Sequence, residues 1–219
     1  MEKIKILDLF SGTGSVSKAA ALDPDLECFS LDISCKFSQP DLLIDIHEWD
    51  YRKVSRRRFD IIAAIVPCQM YSCAHTRAIL PRDIPAANRN VARVLDMVKY
   101  FEPAVFWIEN PTTGCLKSQD LVQHLKRIDV SYCMYSDRGY MKKTSLWTIP
   151  QMLADFKPKL CSHKTRCSTY LGGKHPNTFS GKLQLPIQIK YRIPENLLVD
   201  LLSCAKQEVI NARDAECEL

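Results

Sequence analysis

The chain has 219 residues, 46% of them hydrophobic, which suits one substantial core and leaves too little for two independent domains. Its ten cysteines follow no charged-then-apolar leader, which argues against a secreted disulfide module and for an intracellular protein, in nucleus or cytoplasm, with free thiols. No apolar run approaches the length of a membrane span, and a net charge of +5 is only a weak hint of an anionic partner.

Short, nearly continuous apolar runs recur at Ile4 to Phe10, Cys28 to Leu31, Leu42 to Ile44, Ile61 to Val66 and Val105 to Ile108. Such runs are expected of parallel strands buried on both faces. Between the last two, Val91, Val94, Leu95 and Val98 have helical spacing, and Pro103 ends a crossover helix expected over Ala86 to Phe101. Asp120 to Leu125 reads as a further helix, followed by strands at Val130 to Tyr135 and Thr144 to Thr148. After Pro194, the residues Leu197, Leu198, Leu201, Leu202, Ala205 and Val209 share one face of a closing helix. Strands alternating with helices predict an α/β fold, a doubly wound and mostly parallel sheet with a small irregular insert. We divide it into a catalytic body, residues 1–149 and 187–219, and an insert, residues 150–186.

In an open α/β sheet, ligands bind beyond the carboxyl ends of the strands. Each apolar run here ends in polar or reactive residues: Phe10-Ser11-Gly12-Thr13-Gly14 after the first, Asp32 after the second, Asp45 after the third, Pro67-Cys68-Gln69 after the fourth and Glu109-Asn110-Pro111 after the fifth. A glycine loop lets backbone amides approach a ligand, although a Gly-x-Gly pair is often only a tight turn. Position 17 is serine, so the third glycine of the dinucleotide fingerprint is missing. Asp32 is placed to accept from ribose hydroxyls, and together with the loop it favours an adenosine-containing cofactor. Cys68, at the mouth of the sheet, differs in placement from an ordinary structural thiol within a strand. Glu109, on the adjacent strand end, is a carboxyl able to pass a proton to a substrate nitrogen, or else a solvated loop carboxylate.

These residues, in this order, resemble the motifs of the DNA cytosine-5 methyltransferases: Asp8-Leu9-Phe10-Ser11-Gly12-Thr13-Gly14, Pro67-Cys68-Gln69 with Ser72, Glu109-Asn110-Pro111, and Lys142-Lys143-Thr144 before Trp147. Tyr191-Arg192-Ile193-Pro194-Glu195 is similar to the closing motif of compact viral and phage members. The resemblance implies a Rossmann-like methyltransferase fold and S-adenosylmethionine as cofactor, with Phe10, Ser11, Gly12, Thr13, Gly14 and Pro67 around it, Asp32 on its ribose and Asp45 near its adenine. It implies catalysis by Cys68 as nucleophile, Glu109 as acid, Asn110 beside it, and Lys143 in place of a customary arginine. It further implies a flipped cytosine in double-stranded DNA as substrate. Val66, where the family has proline, and Met141 and Lys143, where it has paired arginines, depart from the pattern. An RNA cytosine-5 methyltransferase, and a nucleic-acid-binding protein of the same fold with weak catalysis, stay open as alternatives. A monomer is expected.

From Arg138 to Arg192 the chain carries Arg138, Lys142, Lys143, Lys157, Lys159, Lys164, Arg166, Lys174, Lys182, Lys190 and Arg192 against the single acid Asp155 in the middle of the stretch. This is a phosphate-binding surface or a solvated basic face. The insert lies where the family carries its target-recognition region, and its size suits contact with about two to four base pairs. Cys161, His163, Cys167 and His175 offer four ligands for a structural zinc, against free thiols with a phosphate-contacting histidine.

Overall fold

The computed structural model describes residues 2–72, 81–177 and 185–217. Lys182 of the basic stretch lies outside them. In chain order the elements are β1 (Ile4–Leu9), α1 (Ser15–Ala20), β2 (Leu26–Asp32), β3 (Leu42–Leu43), β4 (Ile61–Ala64), α2 (Ile84–Phe101), β5 (Val105–Pro111), α3 (Asp120–Gln123), β6 (Lys126–Ser131), β7 (Lys143–Thr148), α4 (Ile187–Tyr191) and α5 (Glu195–Cys217).

The strands form one seven-stranded sheet in the order β3-β2-β1-β4-β5-β7-β6. The first five run parallel, and β7 is antiparallel to both β5 and β6. Successive side chains alternate between two cores, which is why the parallel strands read as unbroken apolar runs. Ile4, Ile6, Ile61, Ala63, Val105 and Trp107 face α1 and α5 and meet Val16, Leu198, Leu201 and Leu202. On the other face Leu7, Leu9, Ile62, Ala64, Phe106 and Ile108 meet Val91, Val94, Met97 and Phe101 of α2. The sheet is thereby covered on both sides, and its parallel strands all deliver their carboxyl ends to one edge.

Two of the boundaries that differ from the sequence expectation have a clear local cause. Helix α2 begins at Ile84, earlier than Ala86, because the Asp83 side chain caps it by accepting from the Ala86 amide at 2.8 Å. Strand β6 ends at Ser131 where Val130 to Tyr135 was expected. Tyr132–Met134 instead form a single 3-10 turn, which buries the Tyr132 and Cys133 side chains against different neighbours. The irregular stretch after β7 is not wholly separate from the body, since Leu153 and Phe156 sit in the core under α5 and Glu208 accepts from the Leu153 and Ala154 amides.

One core residue is polar at a cost. Asp8, within β1, is wholly buried; its Oδ1 has no partner among the described residues, and its Oδ2 accepts only a long bond from Ser17 Oγ at 3.4 Å. Burial pushes its carboxyl up to about 8, the Ser17 bond opposes this, and the charges of Asp32 and Asp41 add to it. Because the folded value lies above the unfolded one, the native state holds a proton that the unfolded state has released, so stability falls as pH rises from the ordinary carboxylate range through about 8. Asp8→Asn has no such proton to lose. Its urea midpoint should decline less than the parent's between about pH 5 and about pH 9. Equal declines would contradict a buried, protonated Asp8.

Candidate active site

The loop after β1 is wound by left-handed backbone at Phe10 (φ 59°), Gly12 (φ 51°) and Gly14 (φ 65°), the last being the N-cap of α1. Gly14 needs to be glycine twice over, for its φ and because a Cβ there would lie 3.1 Å from Ser38 Oγ. That hydroxyl donates to the Gly12 carbonyl at 2.9 Å, while the Gly12 amide donates to Asp32 Oδ2 at 2.8 Å. Asp32 Oδ1 accepts from the Ser34 amide, also at 2.8 Å. The loop after β1 and the end of β2 are therefore one hydrogen-bonded unit.

This unit lines a cavity of about 280 Å³ together with Pro67, Cys68, Glu109 and Lys142. Tyr191 and Ile193, from the closing motif, complete the lining together with Ile33 and Phe37. The Phe37 and Tyr191 rings meet edge to face at 5.7 Å, and the Ile193 amide donates to Ser15 Oγ at 3.2 Å. Ser11 Oγ, in the same lining, is buried with no partner among the described residues. An orphaned hydroxyl beside a glycine loop and a carboxylate with spare lone pairs suits a ligand bearing hydroxyl, amino and carboxylate groups.

Glu109 is 3% exposed at the end of β5. Its Oε1 accepts from Tyr132 Oη at 3.1 Å, Lys142 Nζ at 3.2 Å and Thr144 Oγ1. Among the described residues nothing donates to Oε2. Burial works against the Lys142 ammonium, but the Glu109 carboxylate, Tyr132 and Cys68 outweigh it and raise its pKa. For Cys68, burial pushes the thiol up, Lys142 pulls it down and Glu109 pushes it up again. Two anchors hold the Cys68 loop: Ser72 N donates to the Cys68 carbonyl at 2.8 Å, and Asn110 Nδ2 donates to the Val66 carbonyl at 3.1 Å. The second bond explains how valine stands where the family has proline, because the contact uses a carbonyl that either residue provides.

Of the residues singled out in the sequence, Phe10, Ser11, Gly12, Thr13, Asp32, Pro67, Cys68 and Glu109 meet at this cavity. Four others fall elsewhere. Gly14 shapes the loop without lining the cavity. Asp45 is turned into its own chain, its Oδ1 accepting from the His47 amide at 2.8 Å. Asn110 is buried behind the Cys68 loop and acts as its anchor. Lys143 is exposed, and the site cation is Lys142. Strand alternation is the cause: Lys142, Thr144 and Leu146 fall on the Glu109 side of β7, and Lys143 falls on the other. That parity was available from the sequence. Tyr132 carried no such signal.

The expected four-ligand set in the insert also needs correction. His163 is exposed, and Cys133, from the turn after β6, takes the fourth place. The ligand atoms of Cys133, Cys161, Cys167 and His175 all lie within 4.8 Å of one another, and all four side chains are buried. Cys133 was missed because it lies far upstream of the others in sequence.

No protein-family model matches the sequence. A "Probable DNA (cytosine-5)-methyltransferase" of Frog virus 3 (isolate Goorha) is 31% identical over 226 aligned residues, covering 91% of this chain and 99% of the relative. The chain belongs to the DNA (cytosine-5)-methyltransferase family. Its fold agrees with that of a DNA modification methyltransferase encoded within an E. coli prophage, at a TM-score of 0.51 and 17% identity over 73% of this chain. The chain spans about half of that structure, 52% of its length. A methyltransferase of Entamoeba histolytica, EhMeth, is similar at a TM-score of 0.46 and 14% identity over 77% of this chain and 58% of that one.

Because Lys142 stabilises the charged form of Cys68, Lys142→Met should move the pH profile of Cys68 alkylation by iodoacetamide to higher pH. Lys143→Met should leave it in place. A shift with Lys143→Met and none with Lys142→Met would contradict this assignment.

Proposed function

We propose that this enzyme transfers a methyl group from S-adenosylmethionine to carbon 5 of cytosine in DNA through a covalent adduct on Cys68. The observation that carries this reading is the meeting, at one cavity, of a thiol under the opposed influence of Lys142 and Glu109 with the Ser11–Asp32 cradle. When bound, S-adenosylmethionine supplies an electrophilic methyl group. The Gly12 region and Ser11 would hold its amino-acid portion and Asp32 its ribose.

A cytosine within a stacked duplex is out of reach of Cys68, so the base is flipped into the cavity. Its edge then faces Glu109, whose Oε2 accepts from no described residue while Oε1 is held by three donors. Cys68 adds as thiolate to carbon 6, its thiol proton passing by way of the Glu109 carboxylate to nitrogen 3, so that ring electrons collect at carbon 5. Lys142 lowers the cost of the thiolate and keeps the carboxyl group oriented. After methylation, which would leave S-adenosylhomocysteine, a water-borne base takes the carbon 5 proton, the carbon 6–sulfur bond breaks with its electron pair returning to Cys68, and nitrogen 3 gives its proton back through Glu109.

DNA contact falls to the segment 150–186. Several of the basic residues nearby are committed elsewhere: Lys142 to Glu109, Lys159 to Asp200 at 2.7 Å and Arg192 to Glu195 at 3.6 Å. Lys157, Lys164, Arg166 and Lys174 are exposed and suit phosphate contact. Among the described residues no helix is long and apolar enough to cross a membrane. Action on DNA would place the enzyme in the nucleus or cytoplasm of a cell.

Methyl transfer from labelled cofactor to duplex DNA should fall by at least about 10³-fold in Cys68→Ala and by about 10²- to 10⁴-fold in Glu109→Gln. Cofactor binding should persist in both. Methylation of structured RNA alone, or undiminished transfer in Cys68→Ala, would overturn the proposal.

A further inference from the structure

The segment after Phe156 is poorly furnished for apolar burial. Leu160 and Leu171 point outward at 43% and 73% exposure. What it buries instead is sulfur: a small cluster of Cys133, Cys161 and Cys167, with Met134 and Tyr170 packed against it. Three local devices bring the polar atoms of this cluster together. Ser131, at the end of β6, receives the Cys161 amide on its hydroxyl at 3.1 Å and donates its own amide to the Lys159 carbonyl at 3.0 Å, so Cys161 is pinned beside Cys133. Ser162 turns the chain between Cys161 and Cys167, its amide donating to the Thr165 carbonyl at 2.8 Å and its hydroxyl accepting from the Lys164 and Thr165 amides. Gly172 and Gly173, at φ 57° and 85°, close a tight hairpin between Leu171 and Lys174 that returns His175 to the thiols.

We infer that Cys133, Cys161, Cys167 and His175 bind one tetrahedral zinc ion, which fastens this segment to the edge of the catalytic sheet. Tetrahedral zinc with thiolate and imidazole ligands places its ligand atoms about 3.5 to 3.8 Å apart. His175 Nε2 stands 3.4 Å from Cys161 Sγ and 3.2 Å from Cys167 Sγ, and all four ligand atoms lie within 4.8 Å of one another. Three thiols and an imidazole are donors that select zinc over magnesium or calcium. With four protein ligands and a buried setting the site is closed, as structural zinc sites are. A disulfide would use two of the thiols and leave a third buried beside the histidine; one metal ion satisfies all four groups.

The site also bears on the cavity, an extension that rests on the reading of Lys142 given above. Two residues beyond His175, Asn177 donates its amide to the Gly139 carbonyl at 3.1 Å and its side-chain Nδ2 to the Arg138 carbonyl at 2.6 Å. It also bridges to Tyr140, just before Lys142. The ion would therefore steady the loop that carries Lys142 to Glu109.

Elemental analysis of the full chain, purified under reducing conditions without a metal-affinity step, should find about one zinc per chain, falling below about 0.2 in Cys133→Ser and in His175→Ala. His163→Ala should retain the full complement. Cobalt(II) added to the metal-free wild-type protein should give visible d–d bands and thiolate-to-cobalt charge transfer, a readout that survives if the ligand variants fail to fold. Metal-free protein without cobalt bands, a disulfide between any two of the three cysteines in the native protein, or zinc lost in His163→Ala and kept in Cys133→Ser would each overturn the site. None of these measurements depends on methyl transfer.

Discussion

A carboxylate almost sealed from water is the constraint around which this end of the molecule is organised. Glu109 sits 3% exposed at the end of β5, and an uncompensated charge there would be severely destabilising. Three groups converge on its Oε1: Tyr132 from the turn after β6, and Lys142 and Thr144 from the lead into β7 and its start. Meeting that demand fixes the antiparallel β6–β7 edge against β5. It also sets Lys142 beside the cavity, where its charge reaches Cys68. The charge compensation of Glu109 and the electrostatic influence on Cys68 are thus one arrangement.

The rest of the site is built by backbone. Asn110 holds the Val66 carbonyl and so sets the height of the Cys68 loop, and Asp32 draws the Gly12 amide toward β2. Neither contact depends on a long flexible side chain. The Cys68 loop and the loop after β1 therefore share the rigidity of the parallel sheet, whose central strands are covered on both faces. The buried carboxyl of Asp8 shows that this core also tolerates a destabilising polar group next to the loop.

What could be read from the sequence follows from what each pattern encodes. Strands β1, β4 and β5 were legible because burial on both faces makes their sequences continuous and apolar, and their polar ends then mark the ligand edge. Cys68, Glu109 and Asp32 followed from position. Asp45 followed the same logic and departed from it, since its side chain caps a local turn, a choice that strand-end placement does not encode. Motif likeness points to Lys143, whereas side-chain alternation along β7 puts Lys142 on the Glu109 side and Lys143 on the other. Tyr132 and Cys133 owe their places to a 3-10 turn that cuts β6 short, and the apolar pattern around them reads equally well as strand. Contacts between distant segments, such as Cys133 with His175, leave no local trace.

The central claim is that the Cys68 sulfur becomes bonded to the target base within this cavity. Its most direct measurement is incubation with cofactor and duplex DNA in which cytosine is replaced by 5-fluorocytosine, whose carbon 5 has no proton to lose, followed by peptide mapping of the trapped complex. The account predicts a stable protein–DNA adduct carried by the peptide containing Cys68, formed only when cofactor is present. An adduct on another cysteine, or methyl transfer to ordinary duplex DNA with no trapped species, would contradict it.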